Sequence, residues 1–277
     1  MFIKAILKKL HSKFNYTKTL HLGAKRFKIP IMDNMGLLNL KVRDSWFMTL
    51  VKDCALKPNM HFIDVGVNVG QTLIQYRAVS DAPYWGFEPN PACVHYLKTL
   101  IEKNRFTQTH IIPVGLSQQT SLQLFYLKHA ADSAGTIIDT LRPGFYNTDQ
   151  QQFVPVFEFD TLDCSIETVG LIKIDVEGAE LEVLTGMQNT LALHRPPVIC
   201  EILDAHSEHS LNAMQDRAHQ LIARMKDLNY VMYRINQSAV NVVYERIESI
   251  QLKIWTEESA FLNDYLFWPA AVPFIYN

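Results

Sequence analysis

From residue 61 onward the chain alternates between two spacings of apolar residues. The runs "HFIDVG" (61–66), "YWGFE" (84–88) and "THIIPV" (109–114) are short, apolar and closed by an acid, a glycine or a proline, as buried strands are. Between them, residues 69–79 and 91–104 repeat apolar positions at steps of three and four, the period of a helix with one buried side. Such alternation predicts a parallel sheet with helices on both faces. The pattern lapses between 115 and 160, where "SLQLFYLK" and "QFVPVFEF" predict two strands joined by a segment containing the polar loop "HAADSAGT". It resumes with "LIKIDVEGAE", a strand entering a helix near Gly178, then strand "PPVICEIL", a helix over 211–228 and strand "YVMYRI". The expected fold class is α/β, a doubly wound, mostly parallel, Rossmann-like sheet, whose ligands sit beyond the carboxyl ends of the strands.

Residues 1–57 read as an extension to a main domain of residues 58–277. "KRFKIPIMDNMGLLNLKV" predicts two strands around a turn at Asp33 to Gly36, and "SWFMTLVKDCAL" a helix. The opening "MFIKAILKKLHSKF", read as a helix, places Ile3, Ile6, Leu7, Leu10 and Phe14 on one side. Docking of residues 1–14 onto the domain is favoured over contact with a membrane surface, because one short basic helix binds lipid weakly. It has no apolar run long enough for a signal segment or a membrane span.

With 277 residues, 48% of them hydrophobic, the chain can bury a large core, and one domain is the simpler reading. A formal net charge of −2 gives no field that would draw it to nucleic acid. Cys54, Cys93, Cys164 and Cys200 form no Cys-x-x-Cys pair, which suits reduced thiols and a cytoplasmic location.

The candidate chemistry lies at the break in "FIDVGVNVGQT" (62–72). A Walker loop requires Lys-Ser/Thr after its glycines, but Gln71-Thr72 stands there. A dinucleotide turn requires Gly-x-Gly-x-x-Gly; here Asn68 replaces the middle glycine and Gln71 the last. What remains is Asp64-x-Gly66-x-Asn68-x-Gly70. An acid two residues before the first glycine suits a ligand with an ammonium group, which S-adenosyl-L-methionine carries. The glycines let the backbone turn close to the ligand, and the following helix offers N–H groups to a carboxylate. Glu88, at the end of the second strand, stands where a ribose-binding acid belongs in adenosyl and nicotinamide sites alike.

With "FIDVGVNVGQT", "GFEPNP", "VGLS" and above all "LIKIDVEGAELEVLTG", the chain resembles the class I S-adenosylmethionine-dependent methyltransferases of the FkbM type over about residues 60–205. The resemblance implies that Asp64, Gly66 and Gly70 line the methionine part of the cofactor, and Asn68, Gln71 and Thr72 are expected among its binding residues. It implies further that Glu88 holds the ribose hydroxyls, that Gly115, Leu116 and Ser117 approach the adenine, and that Asp175 and Glu177 sit at the methyl end.

By position alone, Asp175 ends an apolar strand, Glu177 follows, and Gly178 allows a tight entry to the helix. These acids are either helix-start acceptors or groups beside a sulfonium. "EILDAHSEHS" adds Glu201, Asp204, His206 and His209; the spacing matches no metal site, and Glu201 or His206 is the expected general base. No metal is expected. The expected function is methyl transfer from S-adenosyl-L-methionine to a hydroxyl of a small-molecule or glycan acceptor. A nicotinamide-dependent oxidoreductase and a noncatalytic adenosyl-binding module are the alternatives.

Overall fold

The computed structural model describes residues 15–128, 135–141, 151–237 and 242–276. Residues 1–14, read above as a docking helix, and most of the "HAADSAGT" loop lie outside them. The strand–helix alternation builds β3 (His61–Val65), α2 (Gln71–Val79), β4 (Tyr84–Phe87), α3 (Pro91–Asn104) and β5 (Thr109–Ile112). It continues as β9 (Val169–Ile174), α4 (Glu180–Gly186), α5 (Gln188–His194), β10 (Val198–Glu201), α6 (Glu208–Asp227), β11 (Tyr230–Asn236), β12 (Val243–Ile247) and β13 (Asp264–Pro269).

These strands form one eight-stranded sheet in the order β12-β11-β13-β10-β9-β3-β4-β5. The run from β10 to β5 is parallel. β13 is antiparallel to both β10 and β11, and β12 is antiparallel to β11, so the sheet is α/β and doubly wound with an antiparallel margin. Strand β3 lies in the middle, which is why every residue after His61 in it is buried. Its side chains alternate between faces: Ile63 and Val65 join Ile172, Leu184, Leu221 and Phe267 on the α4–α6 side. Phe62 joins Leu73, Tyr84 and Leu97 on the other side.

Local chemistry sets the helix ends. Asn90 accepts from the Ala92 N–H at 3.0 Å and Pro91 occupies the first turn, where its missing N–H costs nothing. Ser207 accepts from the Ser210 N–H, so α6 begins at Glu208 rather than near 211. α2 begins at Gln71 and α4 at Glu180, each later than the apolar period suggests, because Asn68, Gly70, Glu177 and Gly178 all have positive φ and form turns instead of helix.

The region before residue 60 differs from the expectation. The hairpin is β1 (Tyr16–Leu22) with β2 (Lys25–Ile31), and it turns at Gly23 (φ +57°), not at Asp33 to Gly36. Met32 and Met35 close the second turn as an isolated bridge, and Leu38–Lys41 is a 3₁₀ turn. Helix α1 (Trp46–Asp53) follows. The hairpin and α1 bury Leu20, Ile29, Phe47 and Leu50 in the same apolar layer as Phe62 and Leu73. Between β5 and β9 a second sheet, β6 (Gly115–Leu116), β8 (Gln151–Phe157) and β7 (Ser121–Tyr126) in that order, takes the place of a helical crossover.

Candidate active site

The turn after β3 is shaped by close backbone approach. Gly66 has φ +86°, and a Cβ there would lie 1.9 Å from the Asp175 carbonyl oxygen, so only glycine lets β3 leave the sheet beside β9. Glu88, 5% exposed, closes the turn from the next strand. Its Oε2 accepts from the Asn68 N–H at 2.7 Å and its Oε1 from the Asn90 N–H at 2.8 Å. Burial nevertheless pushes its carboxyl from 4.5 up to about 7, against the pull of those two N–H groups. From the extension, buried Asn39 donates to the Val69 carbonyl at 2.6 Å, bracing the same turn.

The loop after β9 is held as firmly. Glu180, buried, accepts from the Gly178 N–H at 2.9 Å, and burial raises its carboxyl to about 7. Arg217 of α6 donates to the Gly178 carbonyl at 2.9 Å and forms an ion pair with Glu182. These contacts fix Asp175 to Gly178 at the carboxyl edge of the sheet.

A cavity of about 270 Å³ opens at this edge. Gly66, Asn68, Gln71 and Thr72 line it from the first turn, Glu88 and Pro89 from the second strand, and Gly115 and Leu116 from β6. Asp175, Val176, Glu177 and Glu201 complete it, with Phe125, Thr136 and Ile137 from the region of the second sheet. Ten of the expected site residues therefore meet in one cavity: Gly66, Asn68, Gln71, Thr72, Glu88, Gly115, Leu116, Asp175, Glu177 and Glu201.

Asp64, Gly70, Ser117 and His206 are not among the lining residues. Asp64 is wholly buried within β3, where it accepts from the Tyr84 hydroxyl at 2.5 Å; burial raises its carboxyl to about 6. Gly70 (φ +82°) leaves no room for a Cβ beside Leu97, and Ser117 donates its N–H to Phe157 at 2.9 Å. His206 is exposed and stacks on Trp255 with ring centroids 5.7 Å apart.

The acids at one end of the cavity are close-set. One oxygen from each of Asp175, Glu177 and Glu201 lies within 4.8 Å of the others, close enough for the three to share one ion. Burial, then the neighbouring Asp175, push the Glu201 carboxyl well above its ordinary value. Lys173 pairs with Asp175 at 2.7 Å and is the cross-strand neighbour of Asp64. Burial alone would lower its ammonium, but Asp175 and Asp64 hold it above the ordinary value. Lys173 was not singled out by the sequence reading, although a lysine inside the apolar run "LIKID" is the signal that marks it. Phe125, Thr136 and Ile137 carry no such signal.

A doubly wound sheet with a glycine turn after its central strand, an acid ending the next strand and a cavity across both is the layout in which open α/β sheets hold nucleoside-bearing ligands. The model of the methyltransferase FkbM domain matches residues 64–232, and the chain belongs to that family. Among proteins of curated function none matches. The solved structures it is similar to include a methyltransferase FkbM from Methylobacillus flagellatus (15% identity, TM-score 0.45), with 76% of this chain and 43% of that one covered. The chain thus spans less than half the length of that protein. A precorrin-6y C5,15-methyltransferase from Geobacter metallireducens gives 9% identity and TM-score 0.39, covering 80% and 87%. A Podospora anserina methyltransferase bound to S-adenosylhomocysteine gives 10% and 0.41, covering 80% and 76%. No helix among the described residues is long and apolar enough to cross a membrane.

Proposed function

We propose that the chain transfers the methyl group of S-adenosyl-L-methionine to a hydroxyl oxygen of a small-molecule or glycan acceptor. The observation that carries this reading is the cavity itself, with a glycine turn and Glu88 on one side and three close-set carboxylates at one end. In this reading Gly66, Asn68, Gln71 and Thr72 surround the methionine part and Asp64 and Gly70 set the turn from behind. Glu88 holds the ribose, and Gly115 and Leu116 face the adenine, with Ser117 tied behind them to Phe157. Residues 58–277 are then the methyltransferase domain, and the 1–57 extension braces its cofactor turn through Asn39.

When bound, S-adenosylmethionine would supply an electrophilic methyl group that the acceptor oxygen takes in line, the O–C bond forming as the S–C bond breaks to leave a neutral thioether. The hydroxyl proton goes to a carboxylate. Glu201 is the better base than His206 because it lines the cavity, whereas His206 stacks on Trp255 outside the lining. Asp175 and Glu177 shape the methyl end. At about 270 Å³ the cavity is near the small end of ligand sites, so it encloses the cofactor while the acceptor reaches in over the rim.

The test is methyl transfer from isotope-labelled S-adenosylmethionine to a panel of hydroxylated metabolites and glycans, with the labelled product characterised by mass spectrometry. A methyl ether is expected, and its formation should fall about 10²–10⁴-fold in Glu201→Gln with cofactor affinity retained. Label recovered on nitrogen or carbon would refute oxygen as the acceptor atom.

A further inference from the structure

The first acid in the sequence is Asp33, and eight lysines and arginines precede it. Residues 1–57 carry a formal charge of +9 and residues 58–277 one of −11, which together leave the chain at −2. The β1–β2 hairpin gathers part of the positive charge on one surface. Its register pairs His21 with Arg26 and Thr19 with Lys28, so these four share the face turned to water, while Leu20, Phe27 and Ile29 fill the buried one. Asn104 of α3 grips the second strand there, accepting from the Lys28 N–H at 2.7 Å and donating to the Lys28 carbonyl at 2.8 Å, which brings exposed Arg105 alongside. A recess of about 290 Å³ between the hairpin and the end of α3 is lined by Lys25, Arg26, Arg77 and Arg105. Asp81, bound to Lys25 at 3.1 Å, is the one acid among its described lining residues. Among the described residues the side chains of Arg26, Lys28 and Arg105 have no acidic partner.

Helices α2 and α3 run back against the parallel strands β3, β4 and β5, so their ends, and the recess with them, lie at the amino edge of the sheet, opposite the cavity. A molecule polarised in this way orients on an anionic surface with its basic end down. One short basic helix binds lipid weakly, which is why the sequence by itself favours docking of residues 1–14 onto the domain; stable attachment takes a second element. The folded hairpin supplies that element, directly after residues 1–14 in the chain. We propose that the β1–β2 hairpin and the end of α3 dock on an anionic phospholipid surface, with Arg26, Lys28 and Arg105 facing the headgroup phosphates and Lys4, Lys8, Lys9 and Lys13 adding to the attraction. The apolar positions Ile3, Ile6, Leu7, Leu10 and Phe14 between those lysines have a use at a bilayer interface and none on a phosphate backbone, which favours lipid over nucleic acid. Docked by this face, the protein turns its cavity away from the membrane and leaves it open to an acceptor arriving from solution.

The experiment is co-sedimentation of the full chain with vesicles of phosphatidylcholine alone and with vesicles containing about 30% phosphatidylglycerol, at about 0.1 M and about 0.5 M salt. At the lower salt the wild type should partition at least about tenfold more strongly onto the anionic vesicles, and the higher salt should remove most of that preference. Arg26→Glu combined with Lys28→Glu should reduce the partition about fivefold or more with the unfolding midpoint retained, and replacing Lys4, Lys8, Lys9 and Lys13 together by Gln should lower it as well. If the charge reversal fails to fold, Arg26→Gln with Lys28→Gln takes its place, with a loss of about threefold or more expected. Equal partition of the wild type onto the two kinds of vesicle overturns the proposal. So does a partition that the hairpin variants leave unchanged, since residues 1–14 would then act alone. Tighter binding to a short DNA or RNA duplex than to the anionic vesicles at the same salt would assign the face to nucleic acid and overturn it too. Every one of these outcomes is independent of the cofactor assignment above.

Discussion

Raising the pH from about 5 to about 8 should weaken the ligand-free fold, and Glu88 contributes a large share of that loss. Its carboxyl titrates at 4.5 in an ordinary setting and at about 7 in the fold, because burial outweighs the two N–H groups that favour its charge. The folded state therefore keeps a proton that the unfolded chain gives up. The sign follows: this stabilisation is complete below 4.5 and is lost as pH rises through about 7. An interval of about 2.5 decades at about 1.4 kcal/mol each bounds the effect at about 3.5 kcal/mol, of which about 3 kcal/mol falls between about pH 5 and pH 8. Glu180, raised over the same interval, and Asp64, raised to about 6, act in the same direction. The assay is urea unfolding of the ligand-free full chain across this pH range, for wild type and Glu88→Gln. The variant cannot titrate at this position, so its stability should vary less with pH, by up to about 3 kcal/mol across the range. Parallel stability curves for the two proteins would refute the reasoning, since they would show that Glu88 keeps its ordinary proton affinity in the fold.

Gly66→Ala should be among the most damaging single changes, because its Cβ would overlap the Asp175 carbonyl at a positive φ; a loss of about 3 kcal/mol or more, or failure to fold, is expected in chemical denaturation, and an unchanged midpoint would contradict it. Arg217→Ala removes the donor to Gly178 and the partner of Glu182, both on partly buried groups, and should cost about 1–3 kcal/mol by the same measurement, whereas a change below about 0.5 kcal/mol would mean that the loop after β9 is held by Glu180 alone.

The parallel half of the sheet was legible in the sequence because its strands are buried on both faces and its helices on one, so hydrophobic period and element type coincide. β12 and β13 were missed for the opposite reason. "NDYLFWP" is a short aromatic run with a terminal proline, and nothing local says that it inserts beside β10. The hairpin turn was misplaced because Asp33, Asn34 and Gly36 all have positive φ and make a genuine turn, but a second one; the β1–β2 turn rests on Gly23. At the site, motif spacing located the lining acids Glu88, Asp175, Glu177 and Glu201, since each ends a strand or follows one. It could not separate Asp64 from them, because a strand-end acid facing a ligand and one turned onto Tyr84 have the same spacing. Lys173 and the lining side chains near the second sheet depend on tertiary arrangement, which no local pattern encodes.

The position of β13 sets a constraint on how the molecule can be assembled. Residues 264–269 are synthesised after β11 and β12, yet they lie between β10 and β11 and supply the pairing on both sides. A nascent chain that has emerged through β12 can close the parallel half from β5 to β10, but its β11–β12 hairpin has no strand to join. Two open edges, one on β10 and one on β11, must then be kept from pairing with each other or with a neighbouring chain until the late strand slides between them. The slowest step of folding is therefore expected at the acidic end of the cavity, where Asp264 comes to rest beside Glu201, and the site is completed by the last strand to arrive.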